Sequence, residues 1–150
     1  MKVPGRVVTL AVLGCLVTPG VAVAACTISA SGVSFGSYNV FSNTPLDASG
    51  SVTYQCSPLA VNVQIQLNRG AAASFSPRLM RQGSATLAYN LYTDAARTIV
   101  WGDGTGGTQV YSALAAALID IIVPVYGRVP ARQNVQAGPY SDTITATILF

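Results

Sequence analysis

Residues able to do acid–base, nucleophilic or metal chemistry are few in this chain of 150 residues. It has no His and no Glu, and Lys2 is its one lysine. The remaining reactive set is Cys15, Cys26 and Cys56 with Asp47, Asp94, Asp103, Asp120 and Asp142. A serine or cysteine nucleophile needs a base beside it, and the commonest base is missing. The Asp residues fall one per loop or strand, without the close pair that glycoside hydrolysis uses. No cluster has metal-ligand spacing. Gly102-Asp103-Gly104-Thr105-Gly106-Gly107 has the glycine content of a phosphate-binding loop. Such a loop also needs a Lys and a following helix, and calcium needs more acidic ligands than Asp103 alone. A turn between strands is the expected use. The chain is therefore expected to be no enzyme, to hold no metal and no small-molecule cofactor, and to work by binding or assembly.

The elements that must position these residues start after a leader. Lys2 and Arg6 give a positive start, Val7 to Val17 is apolar, and Pro19-Gly20 breaks the run. Ala22-Val23-Ala24 supplies small residues for cleavage near 24/25, so residues 1–24 read as a secretory signal and 25–150 as the working domain. The apolar run is too short to cross about 30 Å of hydrocarbon. A lipidation box at Val23-Ala24-Ala25-Cys26 is the lesser alternative. It would use up Cys26, which has another use. Without the leader six Arg face five Asp, a charge near +1 that gives no reason to expect a nucleic-acid partner. Cys15 leaves with the leader. Cys26 and Cys56 remain as an even pair in an exported chain, which reads as one disulfide. It would close a loop of 30 residues.

The working domain alternates at the period of strands. Val61, Val63, Ile65 and Leu67 face one way and Asn62, Gln64 and Gln66 the other. Val52, Tyr54 and Cys56 alternate, as do Leu87, Tyr89 and Leu91. Val33 to Tyr38 reads as extended, with Val33 and Phe35 on one face. Asn39 to Ser49 reads as a loop with Asp47 at a turn, and Asp94 as the turn residue of Thr93 to Arg97. The run Ala113 to Val123 is apolar enough to fit either helix or strand, with its β-branched end favouring a strand. Burial of that run in the core is expected, with an exposed sticky patch as the alternative. The last stretch, Tyr140 to Phe150, places Tyr140, Ile144, Ala146, Ile148 and Phe150 on one face and Ser141, Thr143, Thr145 and Thr147 on the other, with Asp142 the polar exception. Seven or eight short strands spaced near ten residues predict an all-β sandwich.

Several blocks, in order, resemble the spore coat protein U domain family of archaic chaperone–usher pili. They are Cys26-Thr27-Ile28-Ser29-Ala30 with Val33-Ser34-Phe35-Gly36-Ser37-Tyr38, Pro45-Leu46-Asp47, the strand ending in Cys56, and Tyr89 to Arg97. Trp101 to Gly107, Tyr126-Gly127-Arg128-Val129-Pro130, Gln133-Asn134-Val135 and Ala137 to Asp142 complete the set. The resemblance implies an incomplete immunoglobulin-like β-sandwich lacking its last strand, completed by a donor strand from a chaperone or a neighbouring subunit. It implies as partners a periplasmic chaperone, an outer-membrane usher and other pilus or coat subunits. It also implies export through the periplasm to the cell surface or an extracellular fibre or coat. Ile144, Ala146, Ile148 and Phe150 would line the donor-strand groove. A surface-binding adhesin or free coat protein is the alternative. Two departures stand out. Fibre-forming members carry a donor segment before the first strand, whereas Cys26 lies within two residues of the expected cleavage, which suits a subunit that receives a strand at a terminal position. Family members are commonly polar where Ala113 to Val123 is apolar.

Overall fold

The computed structural model describes residues 23–58 and 60–150; the expected signal lies outside them apart from Val23 and Ala24. Among the described residues eight strands form: β1 (Ala25–Ser31), β2 (Leu46–Ser57), β3 (Val61–Leu67), β4 (Arg78–Gln82), β5 (Ala85–Tyr92), β6 (Tyr111–Ala115), β7 (Ile121–Val129) and β8 (Ala146–Leu149). Among the described residues no helix is long and apolar enough to cross a membrane. The larger sheet has the order β1-β2-β7-β5-β4 and the smaller one β6-β3-β8.

Alternation sets which face is buried. In β3, Val63, Ile65 and Leu67 are buried while Asn62 and Gln64 are exposed. Val52, Tyr54 and Cys56 of β2, Leu87, Tyr89 and Leu91 of β5, and Val123, Val125 and Val129 of β7 supply the opposing layer. Each such side chain contributes about 1.5–3 kcal/mol on leaving water. Trp101, fully buried, knits the two layers: its indole Nε1–H donates to the Ile65 carbonyl (2.9 Å) and its backbone N–H to the Leu91 carbonyl (2.9 Å). Pro124, which lacks an N–H, sits where β7 has a neighbour on one side alone. There β2 runs alongside, and β5 reaches no further than Tyr126 to Arg128. Cys26 and Cys56 are opposite each other in the β1–β2 ladder and form the disulfide, with Cα atoms 4.1 Å apart.

Three expectations are corrected. Asp47 lies within β2, across from Arg128 of β7, instead of at a turn. Its carboxylate accepts two hydrogen bonds from Arg128, at 2.7 and 2.8 Å, and the ladder supplied by β7 outweighs the turn-like composition around it. The run Ala113 to Val123 is largely not core. Leu114, Leu118, Ile119 and Ile122 are more than half exposed, and Ala115 and Val123 alone are buried. β6 takes the start of the run and β7 its end, so alternate residues such as Leu114 and Ile122 face solvent, while Leu118 and Ile119 lie in the connection between the two strands, outside either sheet. Third, the terminal strand pairs in a ladder only over Ala146–Leu149, shorter than the alternating stretch from Tyr140 to Phe150.

Candidate functional site: an open cleft beside the terminal strand

The terminal stretch keeps its alternation but lacks cover. Tyr140, Asp142, Ile144, Ala146 and Ile148 share the inward face, and each stops at half-burial, while the residues between them are exposed. On its inner side opens a cleft of about 1190 Å³. One rim is the terminal segment from Gln136 to Ala146. The other is Gly32 to Val40, which leaves β1 and runs on without a strand partner. Met80, Leu87, Tyr89, Leu91 and Val129 form an apolar floor.

Small residues let the far rim lie across the large sheet. A Cβ at Gly127 would sit 2.7 Å from the Phe35 ring and 2.8 Å from the Val33 side chain. A larger residue there would push the rim away. Phe35 then meets Tyr89 edge-to-face, ring centres 6.0 Å apart, in the geometry that the aromatic quadrupole favours. Burial pushes the Tyr89 hydroxyl well above its ordinary pKa, and so does its hydrogen bond to Asp142. It therefore stays protonated and donates to Asp142 Oδ2 at 2.7 Å.

The other edge of the terminal segment is occupied. β8 pairs with β3, and Asn68 N–H donates to the Thr145 carbonyl. In an antiparallel strand the N–H and C=O of one residue point to the same edge, and those of the next residue to the opposite one. With Thr145 turned toward β3, Ile144, Ala146 and Ile148 present their backbone groups to the open edge. Of the residues expected to line a groove, Ile144 and Ala146 line the cleft. Ile148 is half-buried against the core beyond the lined stretch, and Phe150 is 58% exposed and outside it. The rim Gly32 to Val40 and the floor residues were not assigned to a groove from sequence. Their signals were the shared face of Val33 and Phe35 and the alternation of Leu87, Tyr89 and Leu91.

Among the described residues no three of His, Cys, Asp or Glu come together as metal ligands. Asp103 closes its glycine loop on itself by accepting from Thr105 N–H (2.9 Å) and Thr105 Oγ1 (2.6 Å), bonds that hold its carboxyl below the ordinary range. The exposed apolar end, in contrast, is built firmly. Leu118 sits in the left-handed region, φ 61°, costly for a branched side chain. Its N–H donates to the Cys56 carbonyl at 2.8 Å, and Gln55 Nε2 donates to Asp120 at 3.0 Å.

The spore coat protein U domain profile matches residues 13–147. The chain belongs to that family. It is 37% identical over 131 residues to Protein U of Myxococcus xanthus, with 79% of this chain and 71% of that protein aligned. Its fold is similar to that of a chain in the crystal structure of the CsuC–CsuE chaperone–tip adhesion subunit pre-assembly complex, from archaic chaperone–usher Csu pili of Acinetobacter baumannii. The TM-score is 0.58 at 23% identity, over 85% of this chain and 40% of that one, so this chain spans less than half the length of that neighbour. A spore coat protein U domain with an open side is thus an incomplete immunoglobulin-like sandwich.

Proposed function

We propose that this chain is an exported structural subunit of a surface fibre or coat, assembled by donation of a strand into its open cleft. The observation that carries the reading is the terminal strand's inner edge, where unpaired backbone groups and a half-buried apolar face border one continuous cleft. Such an edge is a template for strand addition, and main-chain hydrogen bonds would supply affinity while alternate side chains fill the apolar floor. A periplasmic chaperone would lend the strand first. A neighbouring subunit would replace it at an outer-membrane usher. Membership in the spore coat protein U domain family and a fold similar to that of a chain in a chaperone–subunit complex support this reading.

Co-expression with and without the cognate chaperone tests it. The expected outcome is a soluble one-to-one complex with the chaperone, and aggregation or degradation of the subunit alone. A soluble, cooperatively unfolding monomer that takes up no strand-forming peptide would overturn it.

A second reading, attachment to a surface, is favoured by the exposed apolar end at Leu114, Leu118, Ile119 and Ile122. Leu114→Ser with Leu118→Ser separates the two. Both side chains are about two-thirds exposed, so folding and assembly should persist. Loss of attachment with fibres intact supports adhesion, and unchanged attachment rejects it.

A further inference from the structure

Neither sheet runs the full length of the terminal segment. β3 covers it only from Ala146 onward. The backbone of β4 pairs with it at one point, where Arg81 N–H donates to the Ser141 carbonyl (2.8 Å) and Ser141 N–H to the Arg81 carbonyl (3.1 Å). Side chains bridge the gap between these contacts. Asn68 N–H donates to the Thr145 carbonyl at 3.1 Å, and Asn68 Oδ1 accepts from Thr145 N–H at 3.0 Å, standing in for a strand carbonyl. The Asn68 carbonyl itself is taken by the Arg78 guanidinium, at 3.0 and 2.9 Å.

Asp142 makes the second tie. Its Oδ1 accepts from Ala71 N–H at 2.9 Å and Thr143 N–H at 2.8 Å, and its Oδ2 from the Tyr89 hydroxyl at 2.7 Å. Gly70 (φ 62°) lies so close that a Cβ would overlap this carboxylate. Asp142 is the one charged side chain lining the cleft. Three donors already satisfy it, so it calls for no cation from a partner. Its use is positional.

Ser141 and Thr145 both turn their backbone groups away from the cleft, and they are four residues apart. By strand parity Tyr140, Asp142, Ile144, Ala146 and Ile148 then all turn theirs toward the open edge. We infer that Asn68 and Asp142 are positioning residues that hold residues 140–145 extended in line with β8. The acceptor edge then runs unbroken from Tyr140 to Ala146, where the lined stretch of the cleft ends, and takes an extended, alternately apolar segment of about seven residues, one face to each floor position. This inference rests on the strand-donation reading above.

The test uses the whole exported chain, amide hydrogen exchange resolved by residue, and a synthetic peptide of about seven residues alternating valine with threonine. With wild type, the peptide should slow exchange at Asp142, Ile144 and Ala146. Asn68→Ala and Asp142→Ala should each weaken peptide uptake about tenfold, the worth of one charge-assisted or strand-substituting hydrogen bond. They should also lose amide protection at Ser141 to Thr147 while β2 and β7 stay protected. Asp142→Asn keeps an oxygen for Ala71 and Thr143, and Asn68→Asp keeps one for Thr145. Both should restore most of the uptake, and they carry the test if an alanine variant does not fold. Uptake indifferent to Asn68→Ala and Asp142→Ala, or peptide protection confined to Ala146, overturns the positioning role and leaves strand donation standing. No uptake by wild type overturns both.

Discussion

Arg78 is a fully buried cation that touches no carboxylate among the described residues. Its guanidinium donates to the carbonyls of Asn68 and Trp101 and to Asn90 Oδ1, and it stacks 5.2 Å from the Phe75 ring centre. Burial pulls its pKa below the ordinary value, yet arginine stays charged throughout the accessible range. The three acceptors come from the end of β3, from β5 and from the crossing segment at Trp101, so one fork ties both sheets. Arg78→Met should cost about 3 kcal/mol in urea unfolding, because buried acceptors lose their donors. Arg78→Lys should recover little, since an ammonium lacks the planar fork. Tyr54 is the opposite case. Its hydroxyl is buried with no hydrogen-bond partner, and burial pushes its pKa up to about 12. The folded value lies above the ordinary 10.0, so the neutral phenol's contribution is complete below pH 10 and is lost as pH rises toward 12. Tyr54→Phe should therefore leave neutral-pH stability unchanged or raised and flatten the alkaline fall, read from unfolding midpoints between pH 9 and about 12. Neither role was legible in the sequence. Nothing in the sequence set Arg78 apart, and its partners at 68, 90 and 101 meet only through the fold.

Where alternation was clean the elements were legible. β3 and β5 emerge with the inward residues that their period names, and Asp94 caps its turn by accepting from the N–H groups of Thr98 and Ile99. Asp47 was not legible, because Asn, Ser, Thr and Pro before it give loop composition while its strand is decided by pairing to β7. The ties between elements carry their own predictions. The Cys26–Cys56 bridge fixes β1, an edge strand with only half-buried inward residues, to β2. Cys26→Ser with Cys56→Ser should cost about 3 kcal/mol from loop-closure entropy alone. Reduction with dithiothreitol should lower the wild-type melting temperature and leave that variant unmoved. Acid acts on other ties. Hydrogen bonds from Arg128 hold the Asp47 carboxyl below 3.8, helped by the charges of Arg128 and Arg97 against a smaller effect of burial. Asp94 and Asp103 also lie below 3.8, held down by hydrogen bonds within their turns. Lowered folded values give stability that is present above the unfolded value and lost as pH falls through the folded ones. The melting temperature should thus decline from about pH 4.5 downward. Asp47→Asn should remove only the part of that decline belonging to the β2–β7 tie.

At the scale of the whole molecule, the sandwich closes everywhere except along the terminal strand. Alternation from Tyr140 to Phe150 spoke of one buried face, but the period of a strand does not say which of its edges has a neighbour. The apolar run from Ala113 to Val123 was equally opaque, since its hydrophobicity fits core or surface until β6 and β7 settle which residues turn outward. An incomplete core makes a direct prediction. Phe150 lies exposed just past β8, so a chain extended there can turn back beside the open edge. An Asn-Gly turn followed by an alternating valine and threonine segment would form a hairpin with β8 and lay its apolar side chains on Met80, Leu87 and Val129. Burying previously wet apolar surface raises both stability and the area exposed on unfolding. The extended chain should therefore melt at a higher temperature, unfold with a larger urea m-value, and stay monomeric at concentrations where the parent chain associates. Replacing the inward valines by serine keeps the backbone pairing but withdraws the apolar fill. That variant should lose most of the gain in melting temperature. If it keeps the gain, or the parent chain is already as stable and as monomeric as the extended one, the open side is not an unfilled core. The exposed end at Leu118 lies outside this test, so Leu118→Ser should lower association of the extended chain only where that end, and not the cleft, drives it.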